Sequence, residues 1–215
     1  MDQEQEINII NTNTRNEKIK NFFVNNKKSL VSILVVIILA LCGYFGYEEF
    51  QKRQKANLSN DYNLAKIKYD NGQKDIVEDF KKIINAKDNT YSPLAFYFLL
   101  DNDLITSKEE INSYFDIIIN DSGLDEEAKN LNVFKKGLFN ADFADENQLL
   151  DILNPLIKSE SIWKPHALYL MAEFYLANNQ KQKSKEFFEQ LASLEGASQK
   201  IRTEAQKRLR SDFSE

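Results

Sequence analysis

Few side chains in this 215-residue sequence are of types that perform bond chemistry, and they stand far apart. His166 is the only histidine and Cys42 the only cysteine. A nucleophile needs a base beside it and a metal needs several imidazole, thiolate or carboxylate ligands, so no second imidazole or thiol completes a site around His166. Asp125-Glu126-Glu127 forms a carboxylate run. Acidic residues in the first turn of a helix complement the partial positive charge there, which accounts for that run without chemistry. The six glycines, at 43, 46, 72, 123, 137 and 196, nowhere form a phosphate-cradling loop. No catalytic residue, metal ligand or cofactor is therefore expected. What remains are groups that bind: Tyr62, Lys66 and Tyr69 in one segment, Tyr169 and Glu173 in another. Tyrosine joins an apolar body to a polar handle, so it suits peptide contact and core packing alike, and both readings stay open.

The element that decides where such groups work is SLVSILVVIILALCGYFGY, residues 29–47, nineteen positions without a charge. Crossing a bilayer takes roughly 20 apolar residues at about 1.5 Å rise each. A mean hydropathy of −0.50 over the chain leaves little core able to hide so uniform a helix. A cleaved export signal would have a shorter apolar stretch and a small-x-small site, whereas Gly43-Tyr44-Phe45-Gly46-Tyr47 interposes bulky aromatics. Leu39-Ala40-Leu41-Cys42 resembles a bacterial lipobox, although Leu41 is not the small residue that pattern wants before the Cys. A permanent anchor at 29–47 is the expectation, and lipidation at Cys42 the alternative.

Five basic residues precede the run (Arg15, Lys18, Lys20, Lys27, Lys28) and three follow closely (Lys52, Arg53, Lys55). That asymmetry predicts a cytoplasmic N-terminus, and in a bacterium a periplasmic remainder. Residues 1–28 are expected to be a mostly disordered cytoplasmic tail, disordered at least as far as Thr14. Beyond residue 28 the chain carries 23 basic against 29 acidic residues, a balance that argues against nucleic-acid binding. Residues 48–215 suffice for one domain and contain no cysteine, so packing alone must hold it.

Apolar positions in that domain recur at three and four. The pattern predicts helices near 49–71, 74–86, 91–101, 107–119, 125–140, 145–157, 165–178, 181–195 and 198–212, and no convincing sheet. Glu48 to Lys55 contains neither Pro nor Gly, so the anchor helix is expected to run on into the first of these. YNLAKIKYDNGQKDIVEDFKKII from Tyr62 pairs with YLMAEFYLANNQKQKSKEFFEQL from Tyr169 at a constant offset of 107. Ala65 then matches Ala172, Asn71-Gly72 matches Asn178-Asn179, and Phe80 matches Phe187. The offset is close to three tetratricopeptide periods of about 34 residues. The small residues would let hairpin helices touch, the Asn/Gly pairs would turn the chain, and the phenylalanines would fill the space between hairpins. Ser184 stands where alanine is usual, and residues 91–157 match poorly. The predicted fold is all-α: a single N-terminal transmembrane helix, then a degenerate tetratricopeptide-like α-solenoid of about four helix pairs, closed by a capping helix.

Asn21-Phe22-Phe23-Val24-Asn25-Asn26-Lys27-Lys28, an uncleaved anchor, irregular helix pairs and Trp163 ahead of the last repeat together resemble the YfgM-like family. These are ancillary subunits of the bacterial Sec translocon with a tetratricopeptide-like periplasmic domain. The resemblance implies a single-pass inner-membrane protein in contact with inner-membrane lipid. Its implied partners are the Sec translocon, a membrane-anchored periplasmic chaperone of the prolyl-isomerase type and unfolded secretory chains. It implies an adaptor or chaperone scaffold. A lipidated outer-membrane assembly factor, or an envelope or division scaffold without translocon contact, would share the same repeats.

Overall fold

The computed structural model describes residues 15–73 and 75–213, which fall into two compact units, one ending at Asn57 and the other beginning at Leu58. In the first unit, helix α1 covers residues 15–25. The disorder expected up to Thr14 lies outside the described residues, but from residue 15 the segment expected to be mostly disordered is helical. Ile19, Phe22 and Phe23 stand at the i, i+3, i+4 spacing of one helix face, a stripe too short to register against the polar residues around it. A turn at Asn26 follows, where the backbone N–H and the side-chain amide both donate to the Phe22 carbonyl, at 3.0 and 2.9 Å.

Helix α2 then runs unbroken over Lys27–Asp70. It is long and apolar enough to cross a membrane, with a mean hydropathy of 2.5 in its most apolar stretch and none of that stretch buried. Charged pairs at i, i+4 follow the apolar run, Glu48 with Lys52 at 2.6 Å and Glu49 with Arg53 at 2.8 Å, which support the exposed helix.

From Leu58 onward the chain is a succession of antiparallel helices. The end of α2 meets α3 (Val77–Asn85) through Tyr62 and Phe80, and the chain continues through α4 (Tyr91–Asp101), α5 (Lys108–Asn120), α6 (Glu126–Asn140), α7 (Glu146–Ile157), α8 (Lys164–Ala177) and α9 (Lys181–Ser193), with α3 packed more closely on α4 than α4 is on α5. Helix α10 (Gln199–Asp212) closes on α9. No strand occurs among the described residues. The helix starts have visible causes. Ser107, Asp125, Asp145 and Ser198 each accept a hydrogen bond from a backbone N–H three residues on, and Gln148 completes a capping box with Asp145. Asp125-Glu126-Glu127 is thus an N-cap followed by two first-turn acids.

The helix ends repeat one device. Gly72, Asp103 and Asn179 all take positive φ (78°, 52° and 58°). In each case the next N–H reaches back five residues, from Gln73 to Lys68, Leu104 to Leu99 and Gln180 to Tyr175. This is a Schellman termination, which needs a residue tolerant of left-handed backbone. Gly72 and Asn179 stand at the offset of 107 read from the sequence. Asp103 supplies the same turn in the poorly matching middle.

The core forms three apolar clusters: α2 to α5 around Phe80, Phe96 and Phe115; α6 to α8 around Leu149, Leu153 and Met171; α8 to α10 around Phe188 and Leu191. Ala65 and Ala172 are buried at the close approach of their hairpins, and Gly137 serves where α6 meets α7, since a Cβ there would lie 2.5 Å from Leu153 Cδ2. Ser184, in place of the usual alanine, is fully buried, and its hydroxyl donates to the Ala172 carbonyl at 2.8 Å. Ser92 does the same to the Ile83 carbonyl.

One pairing shifts. Phe80 is fully buried, but its structural counterpart is the fully buried Phe188, while Phe187 is only half-buried. Tyr62 meets Phe80 edge-on at 5.7 Å and 77°, and Tyr169 meets Phe188 at 5.7 Å and 75°. The last hairpin therefore carries one more residue between its paired rings than the first, and the constant offset fails after the turn.

Hydrogen bonds also mark the repeat. Tyr69 donates to Asn102, Tyr97 to Asn132 and Ser161 to Glu127, pairs separated by 33, 35 and 34 residues.

Candidate partner-binding face

The residues expected to bind lie on the first helix of the first and last pairs. Tyr62 and Tyr69 are half-buried on the first core cluster. Tyr62 sits among Phe80, Tyr91 and Phe98, and burial raises its hydroxyl pKa. Tyr69 stands edge-on to Phe98 at 5.1 Å while its hydroxyl donates to Asn102 at 3.1 Å. Lys66 is exposed, its Nζ 4.0 Å from Asp70. These tyrosines offer part of a ring to solvent and use the rest to join α2 to its neighbours.

Tyr169 and Glu173 lie instead on the third cluster's rim, where α8 faces α10. Helix α8 places His166, Tyr169 and Glu173 at the three- and four-residue spacing of one face. Opposite them α10 presents Ile201, Glu204 and Arg208. Glu173 Oε1 pairs with Arg208 Nη2 at 2.7 Å, and Arg208 Nη1 reaches Asp212 Oδ2 at 3.1 Å. The Tyr169 hydroxyl, with Glu173 and Asp212, holds the guanidinium more firmly protonated than usual. Glu173 is thus engaged by a fixed cation, so its reach toward a partner goes through that pair.

Above this ion pair opens a groove of about 410 Å³ lined by His166, Tyr169, Ser198, Lys200, Ile201 and Glu204. His166 also belongs to an aromatic step: Phe134 of α6 stacks on Trp163 at 5.7 Å and 22°, and the imidazole lies 5.3 Å from the indole. Ile162 beside it is 68% exposed. An aromatic and apolar surface with charged edges therefore runs from α6 over α8 to α10. The sequence nominated Tyr169 and Glu173 for this face and did not nominate His166, Trp163, Phe134 or Ile201. The available signal was the spacing of His166 to Tyr169, which puts the lone histidine on the same helix face. The α10 side had no such signal, because only packing decides which stripe of that helix turns toward α8.

Such a surface can hold an extended or helical segment by ring contact and a few charged hydrogen bonds. Among the described residues no group of His, Cys, Asp and Glu side chains converges as a metal site. Residues 20–105 match the family model described as a tetratricopeptide repeat-like domain. The match takes in the candidate span, α3 and α4. No curated protein and no solved structure matches the chain. The matched stretch, less than half of the chain, is similar to a tetratricopeptide repeat-like domain, a repeat fold whose stacked helix pairs offer extended binding surfaces.

Proposed function

We propose that this chain is a non-catalytic adaptor or chaperone scaffold, held in the bacterial inner membrane by residues 29–47 with its N-terminus in the cytoplasm and residues 48–215 in the periplasm. There it attends the Sec translocon together with a membrane-anchored chaperone and receives unfolded secretory chains. The observation that carries the binding role is the open groove between α8 and α10, continuous through His166 with the Phe134–Trp163 step. Rings backed by a core and flanked by Lys200 and Glu204 suit segments of varied sequence, since contact with a ring face asks little of the partner's side chains. The long apolar helix, the basic residues ahead of it and the likeness to the YfgM-like family support the location and the partners.

Site-specific photocrosslinking tests this. A photoreactive residue at Lys200, which is exposed on the groove, is expected to capture a stalled secretory chain in intact membranes, as is one at Lys66. The double variant His166→Ala, Tyr169→Ala should cut the yield from position 200 several-fold. Full yield in that variant would remove the groove from the binding surface. Crosslinks confined to envelope proteins other than translocon subunits and secretory chains would replace the translocon with another client.

A further inference from the structure

The described part of the segment ahead of the span has a structure that the scaffold reading does not use. Helix α1 exposes Ile19, Phe22 and Phe23 (48, 56 and 57%) along one stripe, and no core covers them. Successive helical residues advance about 100° around the axis, so Lys18 and Lys20 fall on either flank of that stripe. Arg15, Lys27 and Lys28 add to the same charge, against the single acid Glu17. An apolar stripe with lysines at its edges fits one environment closely. The rings enter the boundary between headgroups and acyl chains while the lysine stems lie along it and carry their ammonium groups back to phosphate.

The junction with the next helix agrees. Across the turn at Asn26, Phe23, Val24 and Lys27 share one apolar concavity with Leu30, Val31 and Leu34, so the exposed ring of α1 is continuous with the apolar surface of the candidate span. A helix that only linked two soluble parts would have no reason to carry that continuity.

We propose that residues 15–28 form a membrane-surface helix that binds anionic phospholipid headgroups at the end of the span. The helix acts as a second attachment, in which charge selects acidic lipid and Ile19, Phe22 and Phe23 supply insertion. The proposal rests on reading residues 29–47 as a membrane span.

The test uses the full chain reconstituted in vesicles of phosphatidylcholine, alone or with phosphatidylglycerol, whose acyl chains are brominated near the headgroup. Trp163 is the only tryptophan, so a Trp163→Phe background makes Phe22→Trp a single reporter. Its emission should shift to the blue and be quenched several-fold more with phosphatidylglycerol present. Adding Lys18→Glu and Lys20→Glu should abolish that difference. Val36→Trp, within the span, is the control, read with lipids brominated deep in the acyl chain. If Val36→Trp is quenched and Phe22→Trp is not, the span stands and the surface helix is overturned. If neither is quenched, the span reading fails and the proposal with it. Equal quenching of Phe22→Trp in both vesicle types would overturn recognition of acidic lipid.

Discussion

At the scale of single residues, the last hairpin turns on which of two adjacent phenylalanines fills the core. Phe188 is fully buried against Tyr169, whereas Phe187 lies half-buried beside Tyr175. Removing a buried aromatic costs roughly 3–5 kcal/mol. Phe188→Ala and Phe80→Ala should each lose about that much in denaturant melts of the purified protein, and Phe187→Ala distinctly less. Equal losses at 187 and 188 would restore the pairing read from the sequence. That pairing was correct as far as the turn because Ala65, Ala172, Gly72 and Asn179 are constrained by backbone contact and left-handed φ, which few residue types satisfy. It slipped afterwards because any apolar residue near the right place fits the pattern. Asp103 was illegible for a related reason: aspartate takes positive φ less often than glycine or asparagine, so its identity did not announce the turn. Of the candidate site, Tyr169 and Glu173 were named from their position on the first helix of the last hairpin, whereas the Glu173–Arg208 pair depends on a neighbour whose rotation only packing sets.

At the scale of elements, helix positions were legible nearly to the residue where an Asp or Ser cap marks the start. They were less so for α3, which begins at Val77 with no side-chain cap. What patterning could not reveal is how α5 meets α6. There a polar seam runs beside the Phe115–Phe139 contact: Asn112 and Asn140 exchange amide hydrogen bonds at 3.1 and 2.8 Å, and Lys136 pairs with Asp116 at 2.7 Å. Asn140 is 5% exposed, so leaving it without its partner carries a desolvation cost of about 1–3 kcal/mol. Asn112→Leu alone should therefore destabilise by that order, and Asn112→Leu with Asn140→Leu should recover most of the loss. A thermal-melt double-mutant cycle measures the difference, and additive losses would show that the amides do not act as a pair.

For the whole molecule, stability should form a plateau in pH with a cause at each end. Lys183 holds the Glu146 carboxyl below the ordinary range, and Lys81 does so for Glu110. A carboxylate with a lowered folded pKa contributes stability above its unfolded pKa and loses it as pH falls. Burial, with Glu146 beside it, pushes the Tyr175 hydroxyl up to about 12 from an ordinary 10.0, and burial raises Tyr97 and Tyr114 as well. Their contribution is whole well below pH 10.0, where the unfolded phenol is half ionised, and for Tyr175 erodes as pH rises toward about 12. Melting temperature should accordingly fall on both sides of the plateau, and Tyr175→Phe should flatten the alkaline limb. An unchanged limb in that variant would assign it to other groups. The hydrogen bonds from Tyr69 to Asn102, Tyr97 to Asn132 and Ser161 to Glu127 bear on assembly in a different way. Each closes a loop of nearly the same size, 33 to 35 residues. Because closure entropy depends on loop length, the cost of adding each hairpin to the one before it stays constant along the array and does not grow with the length of the chain. Helix pairs could thus be gained or lost in whole units, while a fragment of one would leave its partner residue with nothing to meet.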